Sequence, residues 1–214
     1  ITSLKTMFQY CQSAIVYIFN SYNIILENLW LNRNEAVNGI SFIDSSNISV
    51  VNYTVTIYYS YTGLLNMVNA SATISFLNLY RVKYPASAYS GYMFTITKNS
   101  ILNISDSNFT IMNYNKIIVI ESILNLDSLF ISNASYYLPI FQIISSNFSI
   151  SNAWLQYISS YRTSVYSIFE TNLKANSNPN IVTINNLTTY LISSKDGYFF
   201  MNKEQNLRDR IIIN

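Results

Sequence analysis

The chain has 214 residues, a formal net charge of +2 and only 10% charged residues, where an ordinary soluble domain carries about 25%. Histidine is absent and cysteine occurs once, at Cys11. Those two facts exclude Ser-His-Asp and Cys-His catalysis, His-based metal sites and an internal disulfide framework within this chain. The scattered basic residues form no footprint for nucleic acid, and no run approaches the roughly 18 apolar residues of a membrane-spanning helix. Polarity comes instead from 29 Asn, 30 Ser, 14 Thr and 19 Tyr, while 4 Gly and 3 Pro are too few to make every connection a tight turn.

In chain order, Ile1 to Ser13 shows no capping helix, and AIVYIF (14–19) reads as a first short strand. From there two kinds of segment alternate. One kind is GISFID (39–44), GLLNMV (63–68), GYMFTI (91–96), KIIVIE (116–121), PIFQII (139–144), VYSIFE (165–170) and GYFFMN (197–202), short and β-branched or aromatic. Gly39, Gly63, Gly91 and Gly197 open four of them at places expected to match. The other kind is NIILENLWL (23–31), NISVVNYTV (47–55), TISFLNLYRV (73–82), ILNISDSNFTI (101–111), ILNLDSLFI (123–131), NFSISNAWL (147–155) and IVTINNLTTY (181–190), with RIIIN (210–214) as the start of another copy. Each of these carries two apolar residues one apart, as in Phe148 and Ile150, followed two residues later by a small polar one. Those polar positions are Asn28, Asn52, Asn78, Asp106, Ser128, Asn152 and Asn186.

A strand pair repeating at steps of 22 to 34 residues reads as a solenoid with loops of variable length. Each turn lays its strands parallel to those of the turn below, so that backbone groups bond along the axis. In this reading the seven polar residues point inward at a bend and stack as a ladder, each amide donating to one neighbour and accepting from the other. A sandwich or propeller is the alternative; it calls for more turn glycines and no position-locked Asn.

Short strands, turns of 22 to 28 residues and an internal Asn ladder resemble the right-handed parallel β-helix, the pectin-lyase-like fold, over roughly residues 14 to 214. The Asn-, Ile- and Tyr-rich composition is similar to that of large repetitive surface proteins of protists. The resemblance implies an all-β solenoid of about 7–8 turns, with residues 1–214 as a single β-helix domain. The start at Ile1 and the stop on a fresh strand add the expectation of a segment from a longer solenoid, or of copies stacked end to end.

β-Helix enzymes that cut acidic polysaccharides cluster carboxylates, because the chemistry needs one group to protonate or coordinate and another to activate. Asp44, Glu121 and Glu170 end equivalent strands here, but on turns far apart, and Asp106 reads as a ladder member. No catalytic residue, metal ligand or cofactor is therefore assigned. N-x-[ST] occurs at Asn47, Asn52, Asn69, Asn103, Asn108, Asn133, Asn147 and Asn186, close to the roughly six that composition alone gives. Asn52 and Asn186 are expected to be buried and bare. Asn69, Asn108 and Asn133, near turns, lead the candidates for N-glycosylation, followed by Asn47, Asn103 and Asn147. YYSY (58–61) and SYYL (135–138) read as loops, with Tyr80, Tyr157 and Tyr161 on outer faces. The polar stretch 170–180 reads as a projecting loop, and 202–210 as another loop or a short helix. The functional expectation is a non-enzymatic structural or adhesive rod, extracellular or at the cell surface. Its partners are other segments or copies of the solenoid, glycans or surface proteins. A carbohydrate-active β-helix enzyme and an intracellular assembly component are the alternatives.

Overall fold

The computed structural model describes residues 4–7, 10–83, 92–110, 116–136, 139–160, 167–172, 178–193, 198–202 and 209–214. No helix occurs among them. The strands are β1 (Leu4–Met7), β2 (Tyr10–Phe19), β3 (Tyr22–Ile43), β4 (Ser46–Val68), β5 (Ser71–Lys83), β6 (Phe94–Thr97), β7 (Ile101–Thr110), β8 (Ile117–Ile120), β9 (Ile123–Tyr136), β10 (Phe141–Ile144), β11 (Asn147–Ser160), β12 (Ser167–Asn172), β13 (Ile181–Ser193), β14 (Tyr198–Asn202) and β15 (Arg210–Ile213). Each described pairing is parallel and joins one coil to the next. The architecture is a right-handed parallel β-helix.

Three stacks of strands form its walls. Face I runs β2, the end of β3, the end of β4, β6, β8, β10, β12 and β14, which makes eight coils. Face II takes the starts of β3 and β4, then β5, β7, β9, β11, β13 and β15. Face III follows a bend inside the same strands, at residues 29–32, 53–56, 77–80, 107–110, 129–132 and 153–156. The first residues are part of the wall too, since β1 pairs with β3 in the register Leu4↔Leu29. YYSY lies within β4 rather than in a loop.

Alternation on each face sends every second side chain inward, where like residues stack on like. On face II the buried column is Leu26, Val50, Ile74, Ile104, Leu126, Ile150 and Ile184. On face III it is Leu31, Val55, Leu79, Phe109, Ile131 and Leu155. An aromatic cluster fills coils six and seven: the Phe141 ring stacks on Phe169 at 5.1 Å and meets Phe148 at 5.2 Å. Full burial of each such side chain stabilises by about 1.5–3 kcal/mol.

The glycines do not share one register. Gly63 pairs with Asn38, so Gly39 lies opposite Leu64. A Cβ at Gly39 would sit 2.7 Å from the Leu64 carbonyl oxygen, and this close approach is what the position requires. Gly91 and Gly197 fall outside the described residues.

Face I contributes the inward column Phe42, Met67, Ile96, Val119, Ile143 and Thr171. Thr171 is fully buried and its Oγ1 has no hydrogen-bond partner. A hydroxyl left unsatisfied in an apolar column costs about 1–3 kcal/mol. Thr171→Val, which swaps the hydroxyl for a methyl, is expected to raise stability by roughly 1 kcal/mol or more, read as a higher thermal midpoint.

Candidate functional site

The bend from face I to face II has to reverse the chain while its backbone is buried. The turning residues Asn20, Asp44, Asn69, Asn99, Glu121 and Ser145 adopt left-handed φ angles of 45°, 48°, 49°, 60°, 49° and 51°. Directly after them stand Ser21, Ser45, Ala70, Ser100, Ser122 and Ser146, and Asn180 continues the column in coil seven. Ser45, Ala70, Ser100, Ser122, Ser146 and Asn180 are all buried.

These side chains carry the axial hydrogen bonds round the corner. Ser21 N–H donates to Ser45 Oγ at 3.1 Å, Ala70 N–H to Ser100 Oγ at 3.1 Å, Ser100 N–H to Ser122 Oγ at 3.2 Å and Ser122 N–H to Ser146 Oγ at 3.1 Å. Ser146 N–H then donates to Asn180 Oδ1 at 3.0 Å, and Asn180 N–H to Asp209 Oδ1 at 3.0 Å. Each hydroxyl also donates back into its own coil, as Ser122 Oγ does to Ile120 O at 2.8 Å and Ser146 Oγ to Ile144 O at 2.7 Å. The hydroxyls of Ser45, Ser100, Ser122 and Ser146 are thus each used twice, which is what a buried one needs. At Ala70 a methyl group stands in the column and cannot accept from Ser45.

The interior ladder is therefore serine, with Asn180 and Asp209 at its last rungs, and the predicted asparagine ladder lies elsewhere. Asn28, Asn52, Asp106, Ser128, Asn152 and Asn186 do share one corner, between faces II and III, with φ from 49° to 59°. Five of them are exposed and Ser128 is half-buried. The cause is local geometry. In coil one Leu26 and Leu29 both point inward, three residues apart, so Glu27 and Asn28 both face out. A left-handed residue breaks the two-residue alternation at that point, and Asn adopts this conformation more readily than other side-chain-bearing residues.

Outside, the ladder exists in pieces. Asn52 Nδ2 donates to Asn28 Oδ1 at 2.7 Å, Asn186 Nδ2 to Asn152 Oδ1 at 2.8 Å, and Asn152 Nδ2 to Asp127 Oδ1 at 2.9 Å. In coil three the corner residue is Phe76, with φ 59°, not Asn78. The register Val51↔Ser75 and Tyr53↔Leu77 fixes this, and Asn78 lies two residues on, opposite Thr54 and Asn108 on face III.

The acids stay dispersed. Asp44 and Glu121 occupy the same corner three coils apart, about 14 Å at the usual strand spacing. Glu170 is out of register with them: it pairs with Gln142 on face I, ahead of the corner. It is buried, and accepts from Gln142 Nε2 at 2.7 Å and Asn172 Nδ2 at 3.0 Å. Among the described residues no three His, Cys, Asp or Glu side chains lie close enough to hold a metal ion.

The sequons separate by what their amides do. Asn47, Asn52, Asn69 and Asn186 are exposed, so Asn52 and Asn186 are not buried as expected. Their Nδ2 atoms donate along ladders to Asn23, Asn28, Asp44 and Asn152 respectively. Asn103 is half-buried and accepts from Asn125 at 2.8 Å. Asn108, Asn133 and Asn147 are exposed. Tyr80 and Tyr157 face outward as expected, and Tyr161 lies outside the described residues, as do 173–177 and 203–208 within the two polar stretches.

No protein family, curated protein or solved structure matches the chain.

Two substitutions test the two corners. Ser122→Ala strands the Ser100 N–H inside the protein and is expected to cost about 1–3 kcal/mol in denaturant unfolding. Phe76→Asn replaces a half-exposed ring in a left-handed conformation and adds a rung next to Asn52. It is expected to stabilise by about 1 kcal/mol.

Proposed function

We propose that this chain is a non-enzymatic structural or adhesive element, a stiff β-helical rod at the cell surface or in the extracellular space that displays loops and N-glycans. The observation that carries this reading is the unbroken parallel pairing of face I through eight coils. Axial hydrogen bonds on all three faces and the serine ladder at the corner resist shear between coils as one unit. At the usual strand spacing the rod is about 35–40 Å long. Dispersed carboxylates support a mechanical over a catalytic role. The finer kinship is with pectin-lyase-like β-helices and with large repetitive protist surface proteins. Its partners are other segments or copies of the same solenoid, stacking end to end into a filament, and surface glycans or proteins.

Intact mass of the native protein before and after N-glycosidase treatment tests the compartment. A drop in mass by whole glycans is expected; a native chain with every sequon bare points to an intracellular assembly component and contradicts the reading. Turnover of any member of a polyuronide panel contradicts the non-enzymatic part.

A further inference from the structure

Face III carries large aromatic side chains out in solvent: Trp154 is 49% exposed, Tyr157 48% and Tyr190 52%. Tyr157 and Tyr190 meet edge to face, with centroids 5.8 Å apart. A cluster of exposed apolar rings on one face marks a place that something covers.

Two sequons border it, Asn133 one rung from Tyr157 and Asn108 two rungs from Trp154. Asn108 pairs with Phe130, and Phe130 with Trp154, so the three stand in one outward column. Asn133 and Tyr157 occupy the same corner of successive coils, fixed by Ser132↔Gln156 and Ala134↔Ile158, each with φ 52°. Rungs are about 4.8 Å apart, so a sugar on either amide starts within reach of a ring on the next coil. The amide of Asn108 is held by its oxygen: Thr110 Oγ1, the hydroxyl of its own sequon, donates to Asn108 Oδ1 at 2.8 Å. Nδ2, the atom that takes the sugar, is left for modification. At Asn47, Asn52, Asn69 and Asn186 the same atom donates along a ladder.

We propose that Asn108 and Asn133 are N-glycosylated and that their proximal sugars lie against Phe130, Trp154 and Tyr157, covering this strip with the protein's own glycans. This rests on the secreted reading above. Transfer forms the Nδ2–C1 bond and breaks the C1–O bond of a lipid-diphosphate-linked oligosaccharide. Nδ2 loses one proton, lipid diphosphate leaves, and nothing is oxidised or reduced. The apolar face of a pyranose suits an exposed ring, and the ring gains cover at little ordering cost.

Trp154 is one of two tryptophans, so in a Trp30→Phe background it reports alone. That chain is produced in the bacterial cytosol and, behind a secretion leader, in a eukaryotic host, with matching strand content checked by circular dichroism. Peptide mapping of the secreted form is expected to find Asn108 and Asn133 occupied. Acrylamide quenching of Trp154 is expected to be roughly twofold weaker in the secreted form. It returns to the bacterial value when Thr110→Ala and Ser135→Ala remove both sequons, or when the glycans are cut from the folded protein, which needs no further variant. Bare Asn108 and Asn133 in the secreted chain overturn the proposal, as does equal quenching with both sites occupied. The leader imposes the compartment, so either failure is separate from that of the secreted reading, which the native mass decides.

Discussion

The corner between faces I and II is the constraint on which the rest depends. A coil must reverse direction there with its backbone buried, and an unpaired N–H at that depth costs about as much as a lost hydrogen bond. At Ser45, Ser100, Ser122 and Ser146 the hydroxyl accepts the orphaned N–H of the coil before it and returns its own proton to a carbonyl in its own coil, and Asn180 and Asp209 accept in the same way through Oδ1. The ladder fixes the height and the phase of each coil on its neighbour. The apolar columns of all three faces follow from that phase.

With the corner fixed, lengths elsewhere are free to vary. Successive rungs of the ladder are separated by 30, 22, 24, 34 and 29 residues from Ala70 to Asp209. Yet from Ala70 to Phe76, Ser100 to Asp106, Ser122 to Ser128, Ser146 to Asn152 and Asn180 to Asn186 the two corners stay six residues apart, and the first two coils add one residue, with Asn23 and Asn47 left-handed. Face II is the more constant part; added residues fall between face III and the next face I and, in coils seven and eight, between face I and the ladder, where Ile144 pairs with Asn172 but Ser146 bonds Asn180. Variable segments on a constant wall suit a protein whose rod is generic and whose loops carry specificity.

Much of this was legible in the sequence. Alternating apolar pairs gave the strands, and the recurrence of Asn, Asp and Ser after each pair marked one real corner. The side of the wall was misread, because alternation by two predicts an inward residue where a left-handed turn inserts an extra outward one, as at Glu27 and Asn28. Coil three slipped by two, since Ala72/Ile74 and Ile74/Phe76 fit the same period and only partner strands decide between them. Tyr157, Arg81 and Leu191 adopt left-handed φ without being residues that favour it, and Asn133 alone does favour it, so the corner after face III left no repeating compositional trace. The serine ladder was hidden by abundance: one Ser among 30 carries no signal alone. Its signature was positional, a Ser two or three residues before the first inward residue of face II, at Ser45, Ser100, Ser122 and Ser146. Glu170 looked equivalent to Asp44 and Glu121 because all three close an apolar run; its pairing with Gln142 places it earlier in the strand.

The most direct measurement is hydrogen exchange at the individual amides of Ala70, Ser100, Ser122 and Ser146, the four central donors of the interior ladder. If the corner holds the coils in phase, these four exchange as slowly as the central strands of face II, through global opening alone. Exchange at the rate of exposed turn amides, with face II still protected, would show that the coils are held without the ladder and contradict the account.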